Sequence, residues 1–93
     1  MSDTYHAQHP DPNKQGTNIS REKYEQIHFA ILSAFDRQPV YGLQELSLAV
    51  KDILGNSFDG SIMWYVTTVK LDMESRGEME CDRSQSPHAL RLT

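Results

Sequence analysis

The chain has 93 residues, nine basic and thirteen acidic, for a net charge of −4, and one cysteine. That length allows one small domain. The lone cysteine excludes an internal disulfide and fits a reducing compartment, and the acidity runs against a dedicated nucleic-acid binder, which gains most of its non-specific affinity by neutralising phosphates. No run of 18 apolar residues and no apolar signal core is present, so the expectation is a soluble, cytoplasmic protein with no membrane role.

Residues 1–18 are polar, hold two prolines and one glycine, and show no apolar period. They are expected to form a disordered N-terminal tail, because so little apolar surface cannot offset the entropy of ordering. Residues 19–93 remain as the folded domain. Ser20 predicts the start of a first helix, its hydroxyl accepting from an orphan amide of the first turn, with Ile19 and Tyr24 at the spacing of a hydrophobic staple. Tyr24, Ile27, His28, Ile31, Ala34 and Phe35 then share one face. Pro39 stops the helix, since the residue before a proline is pushed out of helical geometry.

A second helix is predicted from Leu43 to Leu54, with Leu43, Leu46, Val50, Ile53 and Leu54 as its apolar stripe and Gly55 as a left-handed cap. The turn cluster G-N-S-F-D-G over residues 55–60 holds one apolar anchor, Phe58. A third helix is predicted from Ser61 to Arg76, closed by Gly77. At 100° per residue its Ile62, Val66, Val69 and Met73 fall close to one line.

The chain after Gly77 reads as a hairpin with a definite register. With a four-residue loop over 84–87, Arg83 faces His88, Cys81 faces Leu90, and Met79 faces Leu92. Alternation then puts Met79, Cys81, Leu90 and Leu92 on the inner face and pairs Glu80 with Arg91 on the outer one. One register satisfies both the apolar and the charge pattern. A short strand near Pro39–Tyr41 is expected to add to this ribbon.

The segment V-K-L-D-M-E-S-R-G-E-M-E, with Met73, Glu74, Gly77 and Met79 at its key positions, resembles the end of the recognition helix and first wing strand of winged helix-turn-helix regulators. The closing L-R-L-T resembles the return strand of a wing. The stretch from 19 to 93 is also similar to a small bacterial family of single-domain proteins with a W-Y-x-T-T-V-K-L-D segment, here Trp64 to Asp72, which has no established activity to carry over. The resemblance implies an α+β fold, a small winged helix-turn-helix of three helices followed by a C-terminal β-hairpin wing.

In such regulators the third helix enters the major groove. The resemblance therefore implies a nucleic-acid face made of Ser61, Thr67, Thr68, Lys70 and Arg83. Thr67 and Thr68 would meet phosphate or base edges and Lys70 a phosphate. Ser61, with the amides around it, would offer a helix N-terminus to one phosphate, and Arg83 would reach from the wing into a flanking groove. Three features oppose this. The exposed helix face has no arginine, the commonest specific base reader; Asp72 and Glu74 would repel phosphates; and Trp64 and Leu71 place bulky apolar groups on the outer face. The competing reading takes Trp64, Thr68 and Leu71, at i, i+4 and i+7, as a second apolar stripe. Phe58, the 36–42 loop or the N-terminal tail would cover it, or a partner would, a second copy through an isologous contact among the choices.

Two function classes follow: a transcription-regulator-like DNA-binding domain, and a protein-interaction or dimerisation module that does not bind DNA. The exposure of Trp64 and Leu71, with the charge around Lys70 and Arg83, discriminates between them. No enzyme is expected. Cys81 and His88 lack a third group to orient a base, and Glu22, Glu25, Glu45, Asp52 and Glu74 are scattered without an acid–base pair. His28 reads as a core histidine. His6 and His9 lack further metal ligands. No glycine-rich phosphate loop or nucleophile elbow is present, so no metal, cofactor or small-molecule ligand is implied.

Overall fold

The computed structural model describes residues 3–84 and 88–93. The elements run β1 (Thr4–Ala7), β2 (Thr17–Ser20), α1 (Arg21–Phe35), α2 (Leu43–Leu54), α3 (Ile62–Ser75), β3 (Met79–Asp82) and β4 (Ala89–Leu92). The fold is a small α+β domain: three helices, with one antiparallel strand pair before them and one after.

The helices begin and end where their capping residues stand. The Ser20 hydroxyl accepts from the Lys23 amide (3.4 Å) and the Ser61 hydroxyl from the Trp64 amide (3.3 Å). At the far end of α3 the Glu78 amide donates to the Met73 carbonyl (2.8 Å) and the Gly77 amide to the Glu74 carbonyl (3.2 Å). These two bonds form a Schellman motif, which needs a left-handed residue, and Gly77 supplies φ +78°. Ile27 and Ile31 of α1, Leu46 and Val50 of α2, and Val66, Val69 and Met73 of α3 are fully buried where the helices meet. Each such side chain contributes about 1.5–3 kcal/mol by leaving water.

The C-terminal hairpin holds the expected register, with Met79↔Leu92, Glu80↔Arg91 and Cys81↔Leu90 as partners. The 84–87 loop extends beyond the described residues, which leave out 85–87. Met79 and Leu90 are buried and Cys81 half-buried, as alternation requires, but two positions differ. Leu92, at the open end of the ribbon, is 36% exposed, and Ala89, on the opposite face, is buried. A two-stranded ribbon twists strongly along its length, so a strict two-residue alternation is not kept from end to end. The expected third strand is a single bridge: the Tyr41 amide donates to Leu90 (3.0 Å) and the Leu90 amide to Tyr41 (2.7 Å). The Tyr41 hydroxyl donates to the Ala34 carbonyl (2.7 Å), tying this loop to α1.

The largest departure from the sequence reading is at the N-terminus. Within residues 1–18, expected as a disordered tail, strand β1 pairs with β2 in the register Tyr5↔Ile19, His6↔Asn18, Ala7↔Thr17. Ala7 and Ile19 are buried and Tyr5 half-buried against the core. At the base of this hairpin a Cβ on Gly16 would lie 2.2 Å from the Ala7 carbonyl oxygen, so only glycine fits there. His6 and His9 are engaged separately, His6 Nδ1 with Asn18 Oδ1 (2.8 Å) and His9 Nδ1 with the Asp11 amide (3.0 Å), so they do not converge on a common point.

Candidate functional site

The three flanks of α3 have different chemistry. Toward the N-terminal hairpin stands Asp72, fully buried. Its Oδ2 accepts from the Tyr24 hydroxyl (2.6 Å), the Tyr5 hydroxyl (3.0 Å) and Arg76 Nε (3.0 Å), and its Oδ1 from the Gln8 amide (2.9 Å). Arg76 also donates to the Tyr24 oxygen and pairs with Glu78 (2.8 Å), which in turn meets His28 (3.0 Å). Tyr5 stacks on Tyr24 at 4.0 Å, and His28 stacks on the same ring at 5.5 Å. Burial, then the hydrogen bond to the Asp72 carboxylate, pushes the Tyr24 phenol well above its ordinary range. Asp72 was expected outside, as a group that repels phosphate. It lies inside because its side of the helix turns toward Tyr24 and the hairpin, where four donors satisfy the charge. His28, expected in the core, is half-buried at the edge of this network.

On the opposite flank, toward the C-terminal hairpin, Lys70 is buried and paired with Glu74 at 2.7 Å. This corrects its expected place as a phosphate contact at the edge of an open face. One helical turn puts the two side chains on the same side, and Glu74 neutralises the ammonium at i+4. The same flank opens into a cleft of about 480 Å³ lined by Leu43, Gln44, Met63, Lys70, Cys81, His88 and Leu90. The cleft brings Cys81 and His88 together, and among the described residues that line it there is no carboxylate.

The outermost flank carries the remaining predicted residues. Trp64 is 47% exposed and Met63 42%, while Leu71, Thr67 and Thr68 are half-buried. The Trp64 ring stands edge-on to Tyr65 (4.9 Å), Tyr65 edge-on to Phe58 (5.1 Å), and Lys23 lies over Tyr65 (5.5 Å). Trp64 is therefore held on a rigid helix against an aromatic base with half of its surface in solvent. Beside it a cleft of about 430 Å³ separates α2 from α3, lined by Gln44, Ser47, Leu48, Lys51, Gly60, Ile62 and Met63. Leu48 on its α2 wall is 66% exposed, and the Ser47 hydroxyl donates to the Met63 sulfur (3.3 Å) across it.

The residues expected to touch nucleic acid are not gathered on this face as free donors. The Ser61 hydroxyl caps its own helix, and the Thr67 hydroxyl donates to the Met63 carbonyl (2.8 Å). Arg83 lies apart, exposed just beyond β3, with no ion pair among the described residues. Among the described residues no group of three metal-binding side chains occurs, and no helix is long and apolar enough to cross a membrane.

The sequence reading missed Leu48 as a neighbour of Met63 and missed the whole Asp72 network. One signal existed for the network, the i, i+4 pair Asp72–Arg76. Searches among curated proteins and among solved structures found no match. Residues 4–90, and thus the N-terminal hairpin as well as the three helices and most of the second ribbon, match the family of unknown function DUF6958, and the chain belongs to that family.

Proposed function

We propose that the chain is a non-enzymatic interaction module, built in the helix–helix–helix–hairpin order of a winged helix, that dimerises through the α2–α3 face around Trp64. The observation that carries this is the exposure of Leu48 and Met63 at a cleft whose lining has one charge, Lys51, with Trp64 exposed next to Met63 along α3. A large aromatic held rigid and half in water is the usual anchor of a protein interface. A face with so little charge can meet its own copy in an isologous contact without like-charge repulsion. Lys70, whose charge would have favoured DNA here, is neutralised by Glu74.

Sedimentation across a range of protein concentrations tests the reading. The expected result is a reversible monomer–dimer equilibrium, lost in Trp64→Ala and in Leu48→Asp while far-ultraviolet circular dichroism is unchanged. A monomer at every concentration overturns it.

Arg83 favours a second reading, DNA contact through the C-terminal hairpin, since it is exposed at the ribbon's end and unpaired among the described residues. Fluorescence anisotropy with mixed duplex at low salt tests it. Binding that weakens with salt and with Arg83→Ala supports it, and no binding rejects it.

A further inference from the structure

The outer face of α1 is a second unpartnered surface, with the opposite electrostatic character. Tyr24, Ile27, Ala30, Ile31 and Ala34 bury one side of the helix. Opposite them, at alternating steps of three and four residues, stand Glu22, Glu25, Phe29, Leu32 and Asp36. That spacing keeps all five on one seam, as in the helix-to-helix contact of a coiled coil. Phe29 is 66% exposed, as open as any large apolar side chain of the described chain, and Leu32 is 38% exposed. The three carboxylates around them have no ion pair among the described residues. The cations beside them in the sequence are already committed: Arg21 to Asp3 (3.0 Å) and Arg37 to Asp52 (2.9 Å), while Lys23 lies over the Tyr65 ring.

We propose that this seam docks a basic amphipathic helix of a protein partner, its apolar side chains meeting Phe29 and Leu32 and its Lys or Arg side chains meeting Glu22, Glu25 and Asp36. Charge decides the occupant. A second copy of α1 would bring like carboxylates face to face, which is destabilising at these spacings. Nucleic acid and anionic lipid would be repelled for the same reason. A basic amphipathic helix satisfies both the apolar pair and the free acids, and electrostatic attraction would speed its encounter. The α2–α3 face lies elsewhere on the molecule, so this proposal stands independently of dimerisation.

The test is anisotropy of a fluorescent Leu/Lys helical peptide with heptad-spaced leucines, titrated with the full chain, against a Leu/Glu peptide of the same pattern. The expected result is saturable binding of the lysine peptide alone. Binding should weaken about tenfold or more, roughly 1.4 kcal/mol, in Phe29→Ala and in the Glu25→Gln/Asp36→Asn double variant. Asp59→Asn and Glu80→Gln, at exposed acids off the seam, should leave it unchanged. These are surface changes, and thermal melts that superimpose on the parent's verify the fold. No binding of the lysine peptide, equal binding of the glutamate peptide, or equal loss from the off-seam variants overturns the proposal, the last by reducing it to general attraction to an acidic protein.

Discussion

Asp72 and Trp64 stand on the same helix two turns apart, and each occupies the place that hydropathy would give the other. The carboxylate is fully buried and the indole is half in water. The charge is tolerated inside because both of its oxygens accept hydrogen bonds, three at Oδ2 and one at Oδ1, and because Arg76 supplies the counter-charge. A buried charge without such partners would cost several kcal/mol. The aromatic stays half outside because Phe58, the apolar anchor of the 55–60 loop, stands edge-on to Tyr65 and under Lys23. One flank of α3 therefore holds the fold together with polar groups, and another leaves apolar groups in solvent.

The strongest way to break this contrast is at Asp72. Asp72→Ala leaves the Tyr5 and Tyr24 hydroxyls and the Gln8 amide without their acceptor, and takes one of its partners from Arg76. Removing one member of a buried charged network costs about 3–5 kcal/mol, read as a lower midpoint in urea unfolding. A loss under about 1 kcal/mol would mean that water replaces the carboxylate and that the network is not what holds the N-terminal hairpin.

Tyr24→Phe keeps the ring stack and removes the hydrogen bond to the carboxylate together with the one accepted from Arg76, so about 1.5–3 kcal/mol should be lost at neutral pH. The variant also has a pH signature. The folded state raises the Tyr24 pKa above its unfolded value of 10.0. The resulting stability is fully present below pH 10 and declines as pH rises past it, because the unfolded chain releases the phenolic proton while the folded chain holds it. Urea midpoints on either side of about pH 10 should fall in the parent and fall less in Tyr24→Phe. Parallel curves for the two proteins would remove Tyr24 from the network.

The helices were legible because their signals are local. Ser20 and Ser61 start helices, Gly77 ends one, and Val66, Val69 and Met73 mark a face within a single stretch of chain. The second ribbon was legible because apolar and charge patterns agreed on one register. The N-terminal hairpin was not, because its strands are four residues long and it buries fully only Ala7 and Ile19. Its stability comes from contacts remote in sequence, Tyr5 and Gln8 reaching Asp72 across more than sixty positions. No window along the chain contains both ends of those bonds. The candidate face was half legible for a related reason. Trp64 announced itself by residue type, but Leu48, across the cleft from Met63, comes from another helix, and the Glu74 that neutralises Lys70 was read only as a repelling charge.

The smallest expected effect sharpens the contrast most. Trp64→Ala should change the stability of the monomer by about 0.5 kcal/mol, within the range of surface substitutions, whereas a tryptophan truncated in a core costs about 3–5 kcal/mol. The ring contact of the indole in the monomer is with one edge of Tyr65, and Tyr65 keeps Phe58 and Lys23 as neighbours after the change. The proposed dimer makes a second demand on the same measurement. If folded copies associate through this face, the parent's apparent stability rises with protein concentration, because association draws on the folded state alone. Trp64→Ala should abolish that dependence while nearly matching the parent at the lowest concentration. A core-sized loss at every concentration would place the indole among the groups that hold the fold, and the two flanks of α3 would then differ in polarity but not in purpose.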